Sequence, residues 1–187
     1  MNSNISEYKR YQELVAGKNI NPQTLLATNY LNHFNEIHML LGMIAEMPDC
    51  IDDITEWEAI SYQGHFKYSV FQDKDLAIEA FHHSPIKYKE PFEKCVSEMD
   101  KLLLSTIIKV KESLDKNDLN EVNIIVAEYT PKMERMIENC SAIINSKEFT
   151  SQQDVIDDYF DDDVDEKNNA QDAIDDLFSW VAILHLI

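Results

Sequence analysis

The side chains of this chain best placed for chemistry are His33 and Glu36, which stand in a polar strip with Asn29 and Asn32. On a helix, residues three apart turn to the same side, and an imidazole beside a carboxylate is a donor set with which helical bundles hold metal ions. A two-metal bundle would draw more carboxylates and histidines from the other long helices predicted below. Those helices carry no histidine: His38, His65, His82, His83 and His185 lie elsewhere. His33 is therefore expected to be at least half buried and hydrogen-bonded, without metal; a metal-binding bundle using His33 and Glu36 is the alternative. His82 and His83 suit the end of a short helix, where a cation favours the dipole. Glu98 and Asp100 read as surface charges. No Gly-rich phosphate loop, serine elbow or zinc-type cysteine spacing occurs, and no cofactor is expected.

The elements that must position these residues are helices. Gly17, Gly42 and Gly64 are the only glycines, too few to supply the left-handed positions that a run of β-hairpins needs. Asn21-Pro22 is a cap followed by proline at the first helical position, which predicts a long helix over 21–47. Its buried stripe would be Leu26, Tyr30, His33, Ile37, Leu40, Leu41, Ile44 and Met47. A short helix over 6–16, closed by Gly17, precedes it. Short helices are also expected over 51–60 and 74–83, the second opened by Asp73, with the aromatic segment SYQGHFKYSVFQ between them as an irregular loop.

Periodicity is clearest further on. Phe92, Val96, Met99, Leu103, Ile107, Val110 and Leu114 predict a helix over 88–115. Asp118 and Glu121 form a capping box for a helix over 118–146, with Val122, Ile125, Tyr129, Met133, Met136, Cys140 and Ile143 inward and a kink at Pro131. The short connection predicts an antiparallel hairpin. The fold class is all-α: a helical bundle of four-helix type with additional short helices over 1–146, and an acidic C-terminal tail over 147–187.

Charge and cysteine usage narrow the partners. The net charge is −19, and residues 151–187 hold eleven acidic residues against Lys167 alone. There is no basic stripe for phosphates, so nucleic acid is not an expected partner, and anionic membranes are disfavoured. The longest apolar stretch, 180–187, is far short of the ~20 residues that span a bilayer. Cys50, Cys95 and Cys140 are an odd set without close spacing, and the start lacks the apolar run of a secretory signal. Together they predict a cytoplasmic protein.

The tail repeats itself. Gln153-Asp-Val-Ile-Asp-Asp-Tyr-Phe160 recurs as Gln171-Asp-Ala-Ile-Asp-Asp-Leu-Phe178, identical at six of eight positions with a period of 18. Each copy is a short amphipathic unit, with carboxylates opposite two or three apolar anchors, as a helix-in-groove ligand requires. The acidic spacer between them repels itself and is expected to be unstructured.

Each copy resembles the short acidic peptide by which the flagellar switch protein FliM and the chemotaxis phosphatase CheZ hold the response regulator CheY. The resemblance implies docking anchors at Ile156, Tyr159 and Phe160 and at Ile174, Leu177 and Phe178. It makes Asp157, Asp158, Asp175 and Asp176 the charges that face a basic receiver surface. It covers only these two eight-residue stretches. CheZ also sets an acid and a glutamine one helical turn apart to orient a water; no Asp-x-x-x-Gln stands here on a predicted helix, and Gln63 falls in the irregular segment.

His38-Met39-Leu40-Leu41-Gly42 partly resembles the His-x-Leu-Lys-Gly strip of histidine phosphotransfer domains, with Leu41 in place of the lysine. That chemistry needs an exposed imidazole nucleophile with a cation beside it. The sequence thus predicts a non-enzymatic signalling or adaptor protein that docks a receiver-like protein partner through its tail, with a homodimer as one architecture. A phosphotransfer or phosphatase bundle acting on a response regulator, using His38 in the first case, is the enzymatic alternative.

Overall fold

A computed structural model describes residues 2–146, with side chains from residue 7 onward. The tail over 147–187 lies outside the described residues, as do all ten of its predicted docking positions. Seven α-helices make up the rest: α1 Asn2–Leu14, α2 Asn32–Met43, α3 Ile51–Thr55, α4 Tyr62–Tyr68, α5 Lys74–His82, α6 Ile86–Asp115 and α7 Leu119–Ile144. Short 3-10 turns cover Thr28–Leu31 and Pro48–Cys50. Among the described residues there is no strand, and no helix is long and apolar enough to cross a membrane.

The α6–α7 hairpin follows from its sequence. Asn117 takes the left-handed conformation (φ 55°) that ends α6, while Asn117 N donates to Leu114 O at 2.8 Å and Asp118 N to Ser113 O at 2.9 Å. These two bonds satisfy the last carbonyls of α6. Asp118 then caps α7, its Oδ1 accepting from Glu121 N at 3.0 Å. Only this half of the capping box forms, because Asp118 N is already committed to Ser113. The inner faces bury Phe92, Met99, Leu103, Ile107 and Val110 against Val122, Tyr129, Met133, Cys140 and Ile143. Both helices run through a proline, Pro91 and Pro131. Cys95 and Cys140, far apart in sequence, are both buried at this interface, and the Cys95 thiol donates to Met136 O at 3.5 Å.

Two predicted elements are corrected. The long helix over 21–47 is instead a closed loop, a 3-10 turn and the twelve-residue α2. Asn21 Oδ1 accepts from the backbone of Gln23 and Thr24 at 2.8 and 3.1 Å, folding the chain into a turn where a helix would begin. Side chains that close their own backbone compete with helix in this way. Leu25 then sits at φ 59°, an unusual conformation for a bulky residue, held by reciprocal bonds from Leu25 N to Asn21 O and from Asn21 N to Leu26 O. Tertiary contacts secure the loop: Thr24 Oγ1 donates to Ile144 O at the end of α7, and Ser84 Oγ donates to Thr24 O. At the far end Met47 is 52% exposed, whereas Phe34, missed in the predicted stripe, is fully buried.

The second correction is α4, which replaces the expected irregular loop. Ser61 caps it by accepting from Gly64 N at 3.1 Å. Gly64 fits because a Cβ there would come within 2.9 Å of Ile60 Cγ1. Tyr62 and Phe66 point one turn apart into the core. Asp73 precedes α5 without capping it through its side chain; its carboxylate instead pairs with Lys18.

Candidate functional site

The 3-10 turn, α2 and α4 enclose a cleft of about 420 Å³ whose lining includes Asn29, Asn32, His33, Glu36 and His65. The polar strip read from sequence thus faces a cavity. It is joined there by His65, from the aromatic segment expected to be an irregular loop. With Ser61 as cap, His65 falls in the last turn of α4. Its ring centroid lies 6.2 Å from that of His33.

Burial governs the electrostatics. His33 stacks on Trp57, with centroids 4.8 Å apart and planes 24° apart, and Trp57 Nε1 donates to His33 O at 3.4 Å. Desolvation, with a smaller push from His65, lowers the His33 pKa to about 4, and a backbone hydrogen bond to Glu58 works the other way. His65 is also lowered, chiefly by burial, against the opposing pull of an Asn29 backbone bond and of Glu36. Both imidazoles are therefore neutral at pH 7. His33 Nε2 is buried without a partner. Two neutral rings beside a carboxylate can accept hydrogen bonds from a bound ligand. No three His, Cys, Asp or Glu side chains converge as a metal site among the described residues.

Comparison with protein-family models, curated proteins and solved structures finds no match. The site must be read from its own geometry.

His38 stands on the other side of α2, toward α7. Its side chain is 19% exposed, Nε2 lies 3.9 Å from Glu134 Oε1, and the ring centroid is 5.5 Å from that of Tyr129. His38 Nδ1 and the Tyr129 hydroxyl are both buried without partners. Leu41, where the phosphotransfer pattern has its lysine, is fully buried. His82 is the last residue of α5, and His83 stacks on Tyr11 at 4.4 Å. Ile156, Asp157, Asp158, Tyr159, Phe160, Ile174, Asp175, Asp176, Leu177 and Phe178 belong to the tail outside the described residues. The signal that would have found His65 was the Ser61-x-x-Gly64 start of a short helix followed by core aromatics at helical spacing.

Proposed function

We propose that this chain is a cytoplasmic, non-enzymatic adaptor that docks a receiver-type protein through its acidic tail. The observation that carries the reading is the octapeptide repeat, six of eight positions alike at a period of 18. Duplication of anchors and charges in the same order is the pattern of a binding peptide used twice. The strongly acidic tail favours a partner with a basic surface. The helical domain, read as a bundle of four-helix type built on α2, α6 and α7, is the scaffold that presents the tail.

The two copies are expected to be unequal. The first is bounded by Thr150-Ser151 and an acidic run, whereas the second continues into Trp180-Val-Ala-Ile-Leu184. A longer apolar face removes more area from water, at about 25 cal/mol per Å². The second copy is therefore assigned to packing on the domain or on a second subunit, and the first to binding. Ile156→Ala with Phe160→Ala in the full chain should weaken binding to a purified CheY-type receiver at least about tenfold, the scale of one lost anchor, with the melting temperature unchanged. Ile174→Ala with Phe178→Ala should lower the melting temperature or change the oligomeric state. Equal loss of binding in both variants, without a stability change, would make the copies equivalent. If neither variant alters binding, the docking reading fails.

A further inference from the structure

A second cavity, of about 290 Å³, opens between α4 and α6, and its chemistry differs from that of the histidine cleft. Its lining includes the core aromatics Tyr30, Tyr62, Phe81 and Phe92. These four form one cluster, with the Tyr30–Phe92, Tyr62–Phe92 and Tyr62–Phe81 centroids 5.6, 5.7 and 4.6 Å apart. α6 supplies the polar side through Glu93, Ser97 and Asp100, successive positions on one helix face. Both charged residues of the lining, Glu93 and Asp100, are negative.

Asp100 is the anomaly. The sequence reads it, with Glu98, as a surface charge. Glu98 does pair with Lys101 at 3.2 Å, but Asp100 turns inward and its Oδ1 is buried with no hydrogen-bond partner. Desolvation raises its pKa to about 6, so at neutral pH it is an ionised carboxylate with one oxygen unanswered. Tyr30, whose hydroxyl feels the Asp100 charge, does not help: burial pushes it far up and it stays neutral. A carboxylate in this position costs stability unless something cationic meets it. The aromatic cluster already attracts one ammonium at its edge, since Lys89 Nζ lies 4.5 Å from the Phe81 centroid. Lys89 cannot serve Asp100, because eleven residues of helix separate them by roughly 16 Å.

We infer that this cavity binds a small primary organic ammonium ion, with the Asp100 carboxylate accepting from its N–H groups and the Tyr30–Phe92 cluster enclosing its apolar part. A carboxylate in the wall selects a primary amine over a quaternary one, which has no N–H to donate. Aromatic walls lend the cation further attraction and favour a ligand with an apolar or aromatic body. Glu93, exposed at the same face, adds to the negative field without being buried.

The test is calorimetric titration of the full chain with 2-phenylethylamine, against 2-phenylethanol as a neutral compound of nearly the same shape. The amine should bind at pH 7.5 with a dissociation constant below about 1 mM, and the alcohol at least tenfold more weakly. Asp100→Asn should abolish amine binding while the protein stays folded. At pH 5 the affinity should fall about tenfold, in proportion to the ionised fraction of Asp100. Ser97→Phe, which puts bulk into the cavity from an exposed position, should block the amine and serves if Asp100→Asn does not yield folded protein. Absence of amine binding at millimolar concentration overturns the inference. So does equal binding of the alcohol, or amine binding that survives both substitutions.

Discussion

Tyr30→Ala should lower stability by about 3–5 kcal/mol, the cost of removing a large buried aromatic, which for a chain of this size is a fall in melting temperature of roughly 10 °C. Tyr30 is fully buried and its ring packs against Phe34, Tyr62, His65 and Phe92. Its hydroxyl donates to Ile60 O at 2.7 Å, just ahead of α4. In return, the Tyr62 hydroxyl on α4 accepts from Ala27 N at 2.8 Å, just ahead of the 3-10 turn. Two tyrosines thus reach in opposite directions and fasten the same pair of segments. Ile60, which Tyr30 holds, lines both cavities, so the brace is also the wall between the histidine cleft and the Asp100 cavity. Tyr30→Phe keeps the ring and removes one bond, for a loss of about 1–2 kcal/mol. Urea and thermal melts of both variants measure the difference. Hydrogen exchange should show residues 60–68 opening first in Tyr30→Ala. A melting temperature within about 3 °C of the parent would mean that the brace does not hold α4 in place.

The same brace explains what the sequence showed and what it hid. The α6–α7 hairpin was legible because everything that makes it is local or periodic: long apolar stripes, an asparagine suited to the left-handed position, and Asp118 three residues before Glu121. The start of α2 was not, because the Asn21-Pro22 signal is local while the forces that overrule it are not. Thr24 is fixed by Ile144 at the other end of the described chain, and Ala27 by Tyr62. A helix through 22–28 would forfeit both bonds and the burial of Leu25 and Leu26 in their present places. α4 was hidden for a related reason. It has seven residues, a glycine at its third position and three aromatics, so propensity argues against it, and tertiary packing of Tyr62 and Phe66 decides. Losing α4 in the reading meant losing His65. The polar strip on α2 was visible, but its partner ring and the cleft between them were not. Asp100 was misplaced because a lone carboxylate on an amphipathic helix looks like solvent-facing charge unless the neighbouring elements are known.

Two buried groups should give the protein opposing pH responses, which substitution can separate. His33 titrates near pH 4 in the folded chain, below the ~6.5 of an unfolded histidine. Its contribution is complete above pH 6.5 and is lost as pH falls toward 4, because the unfolded state then binds the proton first. The lowered His65 acts in the same direction. Asp100 does the reverse: with a folded pKa of about 6 against 3.8, its neutral form favours the fold below pH 3.8, and that advantage is lost as pH rises through 6. Between pH 4 and 6.5 the two partly cancel. Asp100→Asn keeps the shape without the buried charge, so at pH 7.5 it should be more stable than the parent. The gain should be on the order of 1–2 kcal/mol after allowing for solvent screening, or about 4 °C. That gain should vanish by pH 4, where Asp100 is itself protonated, so the acid limb of the variant is steeper. His33→Gln should have a lower plateau, from the lost stack on Trp57, but a shallower decline from pH 6.5 to 4. Melting temperatures of the three proteins at half-unit steps from pH 4 to 8 resolve both effects. If Asp100→Asn is destabilising at pH 7.5, burial of the carboxylate is not a net cost to the fold and the opposing pH responses expected here fail.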